Sequence, residues 1–397
     1  MTNQKLPEID VLRIISILIV VFLIHIPLSY AYNFYFDLDQ FEVFLVNNVG
    51  IFVSMGSFVF VSGFGLYLNP NNRYLNSPRK LLTFIKKRFI RIFPLYWIAI
   101  VFFVVFVGYE NIDPLYLLFH FLGMQMIVAP YFGPPMLTLW FIGIIVIYYL
   151  IYIILNSLGS IKLIIPASVA IFFFFVFLRG FFGLVEDRFF YYYFLFVAGI
   201  VASHLYTSPL YERFKKRLRD TPRAILLLVP LFTAILGLIA FRFLTQFTYS
   251  TFISEYGSYN LHFVLETNPD FFQLASVFFL LDLIIIIFIV FAFSSLNFIF
   301  RSFRLIFSRR KIELVVSVIA YSTYCAYLFH RVFLVIFTNT MTSDFNLDMR
   351  ELDNYYLVLI FVPFMFLFSY LIQKALDWIW KLTSKHITNK TLKTVQV

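Results

Sequence analysis

The amino-acid sequence is dominated by apolar stretches, each about as long as a membrane-spanning helix, which recur from one end of the chain to the other. Hydrophobic residues make up 61% of the chain and charged residues only 13%, and the mean hydropathy is +0.88. Water-soluble domains carry about a quarter charged residues, so no soluble fold could bury this much apolar surface. We therefore expect the chain to fold in lipid as an all-α, polytopic transmembrane helical bundle, because a helix satisfies its own backbone hydrogen bonds.

A spanning helix needs roughly 20 apolar residues, and ten segments of the sequence meet that requirement. The predicted spans lie near 11–31, 44–68, 91–109, 136–156, 161–178, 189–206, 224–242, 272–293, 313–338 and 355–380. The segment 114–128 is also apolar, but it is short, and Pro130, Gly133 and Pro134 follow it closely. We expect an interfacial or re-entrant piece there, with an eleventh span as the alternative.

The distribution of basic residues predicts the orientation of these spans. If the N-terminus is cytoplasmic, the cytoplasmic segments hold 25 of the 31 lysines and arginines, and the segments on the other side hold four. This bias follows the positive-inside rule, so we expect both termini in the cytoplasm and a multi-pass protein of the cell membrane. It also accounts for the net charge of +10 without nucleic acid as a partner. We expect one membrane domain over 1–385 and a short cytoplasmic tail over 386–397.

Two histidines fall inside predicted spans, where an ionisable side chain is costly and often functional. His25 lies about fourteen residues into the first span, and His330 lies about seventeen residues into the ninth. Both spans run outward from the cytoplasm, so we expect the two imidazoles at similar depth, beyond the midplane of the bilayer. An imidazole can take a proton from a hydroxyl near neutral pH. The alternative for either histidine alone is an ordinary hydrogen-bonding role in packing.

Two arginines lie at the predicted cytoplasmic start of the third span. Arg88 and Arg91 are three residues apart, so they share one helix face, and two guanidinium groups so placed can clamp a phosphate. Anchoring under the positive-inside rule is the alternative for this pair. The lone Cys325 excludes a disulfide or a cysteine-based metal site within one chain. The sequence around the two histidines contains no recognisable metal-ligand set either, so we expect no metal.

Five short motifs stand in a fixed order along the predicted spans. They are Ile9-Asp10-Val11-Leu12-Arg13 followed by His25, then Ser62-Gly63-Phe64, then Arg88-x-x-Arg91-Ile92-x-Pro94-x-Tyr96-Trp97, then Leu139-Trp140-Phe141-Ile142-Gly143, and finally Tyr321-Ser322-Thr323-Tyr324-x-x-Tyr327-Leu328-x-His330. This ordered set covers nearly the whole chain. It resembles the acyltransferase-3 family of integral membrane acyltransferases.

The resemblance implies an enzyme that moves an acyl group, often acetyl, from cytosolic acyl-CoA to a hydroxyl of an extracellular or lipid-linked glycan. Acyl-CoA would be the donor substrate, and no cofactor would be bound permanently. The expected site residues are His25 and His330 as catalytic groups, Arg13, Arg88 and Arg91 as donor-binding groups, and Trp140, Tyr324 and Tyr327 as substrate-binding groups. A homodimer or an association with glycan-synthesis machinery is a further expectation.

The first motif departs from the family's pattern by one residue. Eleven residues separate Arg13 from His25, where the family has ten. A step of eleven keeps two residues on nearly one face of an α-helix, whereas a step of twelve sets them about 120° apart. Either a π-bulge absorbs the extra residue, or Arg13 and His25 face different cavities.

Two functions of other classes stay open beside the acyltransferase. A transporter or flippase for a lipid-linked sugar or polymer would also combine about ten spans with intramembrane charges, although the paired repeats common in transporters are not evident in the sequence. A non-catalytic scaffold would follow if the altered spacing disabled the site. Acetyl and succinyl donors share the same CoA moiety, so the sequence does not determine which acyl group is transferred. The identity of the acceptor also stays open.

Overall fold

A computed structural model of the protein describes residues 6–25, 40–109, 112–220, 223–248, 271–302, 309–347 and 356–394. Over these residues the regular secondary structure is helical, which confirms the predicted all-α class. The α-helices are α1 (Pro7–Leu18), α2 (Gln40–Leu68), α3 (Pro78–Phe102), α4 (Pro114–Leu122), α5 (Gln125–Phe132), α6 (Trp140–Ser157), α7 (Ile161–Phe182), α8 (Arg188–Tyr206), α9 (Pro209–Asp220), α10 (Arg223–Thr248), α11 (Phe271–Ser302), α12 (Arg309–Phe345) and α13 (Tyr356–Thr394). Two of them continue as π-helical turns, α1 over Ile19–His25 and α3 over Phe103–Val107.

Seven helices in the described part of the chain are long and apolar enough to cross a membrane. They lie in α2, α3, α6, α7, α8, α12 and α13, and each coincides with a predicted span. Shorter apolar segments in α10 and α11 coincide with the predicted seventh and eighth spans. The multi-pass helical bundle is therefore confirmed, whereas the count of ten and the cytoplasmic placement of both termini stay predictions. The predicted domain boundary at 385 also stays a prediction, and α13 runs through it to Thr394.

Helix α3 begins 13 residues before the predicted third span. The Ser77 side chain accepts the backbone N–H of Lys80 at 3.4 Å, and Pro78 opens the helix, so two standard start signals are present. Hydropathy identifies only the apolar part, because lysine and arginine lower it while remaining good helix formers. Arg88 and Arg91 therefore lie well inside α3 rather than at its start, and roughly 15–20 Å of basic helix precedes them.

The segment between α3 and α6 forms two short helices of nine and eight residues. Each is about 12–14 Å long, less than half of a hydrocarbon core of about 30 Å. Asp113 caps α4 by accepting the backbone N–H groups of Leu115 and Tyr116 at 2.8 and 3.1 Å. Gly123, at φ 69°, makes the turn into α5, and glycine adopts that left-handed conformation without strain. Neither helix is long enough to be the alternative eleventh span, and the predicted interfacial or re-entrant placement stays a prediction.

Helices α2 and α8 cross at a contact that only glycine permits. A Cβ on Gly63 would lie 2.2 Å from the carbonyl oxygen of Phe196, and a Cβ on Gly199 would lie 2.2 Å from that of Phe60. In lipid, helices associate largely through such close packing of small residues. The Ser62-Gly63-Phe64 motif therefore contains a packing position, and this crossing fixes the part of α2 that faces α1 and α6.

The N-terminal helix lies against one of the last helices of the chain. Helix α1 and its π-helical turn pack on α2, α11 and α12, and α12 packs in turn on α3 and α13. Leu12 and Ile17 of α1 are fully buried, as are Ala326 and Leu328 of α12. Residues about 300 positions apart in sequence therefore become neighbours at the α1–α12 contact.

Candidate active site

The two intramembrane histidines contact each other. His25 Nδ1 lies 2.6 Å from His330 Nε2, and the two ring planes differ by 13° with their centroids 4.7 Å apart. That centroid separation is close to the N···N distance plus two ring radii, so the imidazoles lie edge to edge in nearly one plane, as a hydrogen bond requires. His330 is fully buried and His25 is half-buried. The predicted match in depth between the two histidines is confirmed.

The backbone of α12 assigns the tautomers of the pair. His330 Nδ1 lies 2.7 Å from the carbonyl oxygen of Tyr327. A carbonyl only accepts, so Nδ1 carries the proton of the neutral ring and Nε2 carries the lone pair. His330 Nε2 therefore accepts a hydrogen bond from His25 Nδ1–H, and the lone pair of His25 is left on its own Nε2. An imidazole whose second nitrogen is held by a fixed partner has the arrangement of a general base.

A π-helical turn leads up to His25, over Ile19–His25. Hydrogen bonds in a π-helix run from residue i to i+5, so the turn accommodates one residue more than an α-helical turn, and such turns are frequent at functional sites. This confirms the first of the two alternatives drawn from the eleven-residue gap between Arg13 and His25. The extra residue is absorbed directly before the histidine, while Arg13 stays in the regular part of α1.

The three predicted donor-binding arginines converge near Tyr149 of α6. The Arg88 guanidinium carbon lies 5.7 Å from the centroid of the Tyr149 ring, and Arg13 interacts electrostatically with both Arg91 and Tyr149. The Ser62 hydroxyl donates to the Tyr149 hydroxyl at 3.2 Å, which places Tyr149 against α2. Neighbouring guanidinium groups repel one another, so the cluster suits an anionic ligand such as a phosphate.

Each arginine of this cluster has different surroundings. Arg13 forms a salt bridge with Asp10 at 3.2 Å, and the side chains of the pair are 28% and 20% exposed. Arg88 lies over Phe84 as well as Tyr149, and its buried Nε has no hydrogen-bond partner among the described residues. Arg91 is exposed. The cluster therefore runs from half-buried Arg13 and Arg88 to the surface of the bundle at Arg91.

The arginine cluster and the histidine pair are separated along the helices that carry them. Arg13 lies twelve positions before His25, which corresponds to about 18 Å of helix. On α12 the Tyr324 hydroxyl donates to the carbonyl oxygen of Ile92 at 2.9 Å, one residue beyond Arg91. Tyr324 lies six positions before His330, or about 9 Å. The site thus has a cationic end and a deeper imidazole end.

The two predicted substrate-binding tyrosines join α12 to its neighbours. Besides the bond from Tyr324 to Ile92, the Tyr327 hydroxyl donates to the carbonyl oxygen of Thr138 at 2.6 Å. Both hydroxyl protons are therefore used within the protein, and each oxygen retains acceptor capacity. The Tyr327 ring centroid lies 5.9 Å from that of His330. Substrate binding by either tyrosine stays a prediction.

Trp140 lies at the start of α6 beside an ion pair. The Arg188 guanidinium carbon lies 5.0 Å from the centre of the indole, and Tyr192 stacks near it at 6.1 Å. Arg188 Nε donates to Glu186 at 2.6 Å, and the side chains of the pair are 18% and 11% exposed. An aromatic face beside paired donors and acceptors is suited to a polar ring. Substrate binding by Trp140 stays a prediction.

Sequence reasoning missed Tyr149, Arg188 and Glu186. Tyr149 is one of 26 tyrosines, and nothing in its local sequence separates it from those that pack against lipid. Arg188 stands among the few basic residues that the topology prediction placed outside the cytoplasm. Its rarity in that position is the signal that could have identified it.

Another buried histidine, His120 of α4, holds the short helices in place. Its Nδ1 donates to the carbonyl oxygen of Tyr116 at 2.9 Å, and its Nε2 accepts the backbone N–H of Met136 at 3.2 Å. Burial lowers the pKa of His120 to about 4, so the ring is neutral at physiological pH. Within the described residues no three His, Cys, Asp or Glu side chains come together, so neither His120 nor the histidine pair lies in a recognisable metal-ligand set.

Comparison with known proteins identifies the family. Residues 6–374 match a family described as an acyltransferase domain, the third of the acyltransferase families. No curated protein and no solved structure matches the chain. The matched range is nearly the whole chain, and it contains the histidine pair, the three arginines and the aromatic residues around them. The chain therefore belongs to the acyltransferase-3 family of membrane acyltransferases.

Proposed function

We propose that the protein transfers an acyl group, most simply acetyl, from acyl-CoA on the cytosolic side to a hydroxyl of an extracellular or lipid-linked glycan. The observation that carries this proposal is the histidine pair, in which His330 holds His25 so that Nε2 is left as a base. Family membership supports an acyltransferase. The arginine cluster supports an anionic donor, and the apolar bundle supports a location in the cell membrane.

In the proposed reaction, His25 Nε2 takes the proton of the acceptor hydroxyl as the oxygen attacks the carbonyl carbon of the thioester. The carbonyl electron pair moves onto oxygen and forms a tetrahedral oxyanion. When the carbonyl re-forms, the C–S bond breaks and the CoA thiolate takes the proton back from His25. The products are an ester and CoA thiol, and the base is regenerated. His330 Nε2 accepts from His25 Nδ1–H throughout and stabilises the transient imidazolium.

The separation of the two ends of the site fits an acyl-CoA donor. CoA is a large anion, and its phosphates would stay near Arg13, Arg88 and Arg91 because moving them into lipid is too costly. An extended pantetheine arm is roughly 15–20 Å long on ordinary bond lengths. The helical distance from Arg13 to His25 is about 18 Å, so the thioester would reach the imidazole while the phosphates remain on the cationic end.

The acceptor would approach from the side of Trp140, Arg188 and Glu186. An indole face and an ion pair are the groups that commonly bind a sugar ring, through stacking and through hydrogen bonds to hydroxyls. O-acetylation of a surface polysaccharide is the modification that these features support best. The Arg188 guanidinium also interacts electrostatically with Tyr327, which packs against His330, so the acceptor end and the histidine pair are linked.

The test is acyl transfer by protein reconstituted in lipid nanodiscs, with radiolabelled acetyl-CoA and surface glycan from cells that lack the protein. The His25→Ala variant should lose at least about 100-fold in turnover while it is still expressed and folded. Mass spectrometry of glycans from cells with and without the protein should show loss of one defined acyl mass. Equal turnover with and without His25 would refute the assignment of the base. Movement of a lipid-linked sugar without dependence on an acyl donor would favour the transporter.

A further inference from the structure

Three polar side-chain atoms lie buried between the arginine cluster and the histidine pair. They are Tyr96 Oη on α3, Gln125 Oε1 on α5 and Thr138 Oγ1 in the turn before α6, and no described residue gives any of them a hydrogen bond. Tyr96 and Gln125 are 0% exposed and Thr138 is 4% exposed. Buried polar groups nearly always have partners because an unmade hydrogen bond is costly in an apolar interior. Buried polar atoms without a partner are therefore candidates for hydrogen bonds to a ligand.

Two contacts show that the three atoms belong to one region. Gln125 packs directly on α6, because a Cβ on Gly143 would lie 2.8 Å from the Gln125 amide carbon. The Gln125 amide nitrogen donates to the carbonyl oxygen of Leu139 at 3.0 Å, next to Thr138. Tyr96 faces Gln125, although their contact falls outside the geometry of a hydrogen bond. The turn that contains Thr138 thus lies beside Gln125, and Gln125 faces Tyr96 on α3.

Along α3, the region lies between the arginine cluster and the part of the helix that packs beside His330. Tyr96 is five positions beyond Arg91 on α3, or about 7–8 Å closer to the histidine end. The contact between Phe102 and Phe329, with ring centroids 5.7 Å apart, places the next turns of α3 beside His330. The carbonyl of Thr138 accepts the Tyr327 hydroxyl at 2.6 Å. A molecule extending from the cationic end to His25 would therefore pass these three atoms.

We propose that Tyr96, Gln125 and Thr138 bind the two amide groups of the pantetheine arm of the acyl donor. Each amide has one N–H donor and one carbonyl acceptor. The tyrosine and threonine hydroxyls can donate or accept, and Gln125 Oε1 accepts, so the three atoms complement an amide pair. A purely hydrocarbon acyl carrier would leave all of these atoms unsatisfied. The inference rests on the proposed CoA donor. It assigns binding residues to the part of CoA that lies between the phosphates and the thioester.

The alternative to this proposal is that Tyr96 and Gln125 serve only the packing of the bundle. Small shifts of Tyr96 and Gln125 would close a hydrogen bond between them, and the pair would then serve packing alone. Tyr148 supplies a matched control, because it is equally buried, its hydroxyl donates to the carbonyl oxygen of Phe189 at 2.5 Å, and its ring packs against Phe189 and Phe196 of α8. Removing a satisfied hydroxyl should cost stability, whereas removing an unsatisfied one should not.

The experiment measures equilibrium binding of CoA and of adenosine 3′,5′-bisphosphate, which lacks the arm, to the full-length protein in nanodiscs. Tyr96→Phe and Thr138→Val should each raise the Kd for CoA about 3- to 10-fold, the range for one hydrogen bond, and leave the Kd for the bisphosphate unchanged. Tyr148→Phe should lower the melting temperature and change neither Kd.

Two results would overturn the inference. One is an unchanged Kd for CoA in Tyr96→Phe and Thr138→Val. The other is a loss of thermal stability in Tyr96→Phe as large as that in Tyr148→Phe, which would show that its hydroxyl is satisfied within the protein. Failure of the proposed function is a separate outcome, because the parent protein would then bind neither CoA nor the bisphosphate.

Discussion

Replacement of His330 tests the role assigned to the histidine pair most directly. His330 Nε2 is the acceptor for His25 Nδ1–H, and His330 is fully buried. His330→Ala leaves the His25 N–H without this acceptor and frees the ring to rotate or to change tautomer. His330→Gln places an amide oxygen near the former position of Nε2, so it can still accept. His330→Asn has a shorter side chain that reaches only the former position of Nδ1, so it cannot.

The expected size of the effect follows from one buried hydrogen bond. Leaving a buried donor unpaired costs about 1–3 kcal/mol, which corresponds to a loss of roughly 5- to 150-fold in kcat/KM if the bond is needed in the transition state. We expect His330→Ala and His330→Asn in this range. His330→Gln should lose less than about tenfold, because it retains the acceptor and lacks only the polarisable ring.

The assay is acetyl transfer by each purified variant in nanodiscs, with kcat and KM for acetyl-CoA determined separately. The loss should appear in kcat, since His330 lies beyond the donor phosphates and holds the base rather than the donor. Melting temperatures of all variants serve as the control for folding. Wild-type kcat in His330→Asn, or equal losses in His330→Asn and His330→Gln, would refute the reasoning that the acceptor at Nε2 is what matters.

Three further predictions follow from other parts of the structure. Arg88→Gln should raise KM for acetyl-CoA about tenfold and leave KM for acetylpantetheine unchanged, as steady-state kinetics with both donors would show; equal effects on both donors would contradict phosphate binding. Gly199→Ala forces a Cβ to within 2.2 Å of the Phe60 carbonyl oxygen, so it should lower the unfolding free energy by about 1–3 kcal/mol or more, measured by thermal or steric-trap unfolding. His120 has a folded-state pKa of about 4 against about 6.5 when unfolded, so its contribution to stability is complete above pH 6.5 and is lost as pH falls toward 4. Melting temperatures between pH 7.5 and 5 should therefore drop more for the parent than for His120→Gln, and parallel curves would show that His120 does not titrate in this way.

The sequence identifies the two histidines because a polar residue is conspicuous in an apolar segment. His25 and His330 stand out from their spans, and counting residues along two parallel helices gives them the same depth. The hydrogen bond between them could not be predicted, because it depends on the packing of α1 against α12, which are about 300 positions apart. Tyr149 illustrates the opposite case, since a tyrosine is unremarkable in this composition and only the fold places it among arginines.

Helix ends were predicted less well than helix positions. Hydropathy predicts that the third span starts at residue 91. The helix itself begins 13 residues earlier at Pro78, with Ser77 as its N-cap. Capping signals are local and can be recognised in the sequence, but they lie outside the apolar window that identifies a span. The unsatisfied atoms of Gln125 and Thr138 were not predictable at all, because the short α4–α5 segment positions them, and its path depends on contacts such as the bond from His120 to Met136.

The π-helical turn before His25 leads to a last prediction, which concerns chain length rather than side-chain chemistry. If the turn absorbs one surplus residue, deletion of half-buried Ile19 should let Ile19–His25 relax into an α-helix while Arg13 and His25 both keep their neighbours. Activity should then stay within about tenfold of the parent, a change of less than about 1.4 kcal/mol in the barrier. The matched control is deletion of Ala326 in α12, where the helix is regular and no surplus exists; it rotates Tyr324 and His330 about 100° relative to each other. Both deletions should be compared for melting temperature and kcat. Loss of activity in the Ile19 deletion with normal folding would mean that the turn itself shapes the site around His25, and that the extra residue is a functional feature rather than a tolerated insertion.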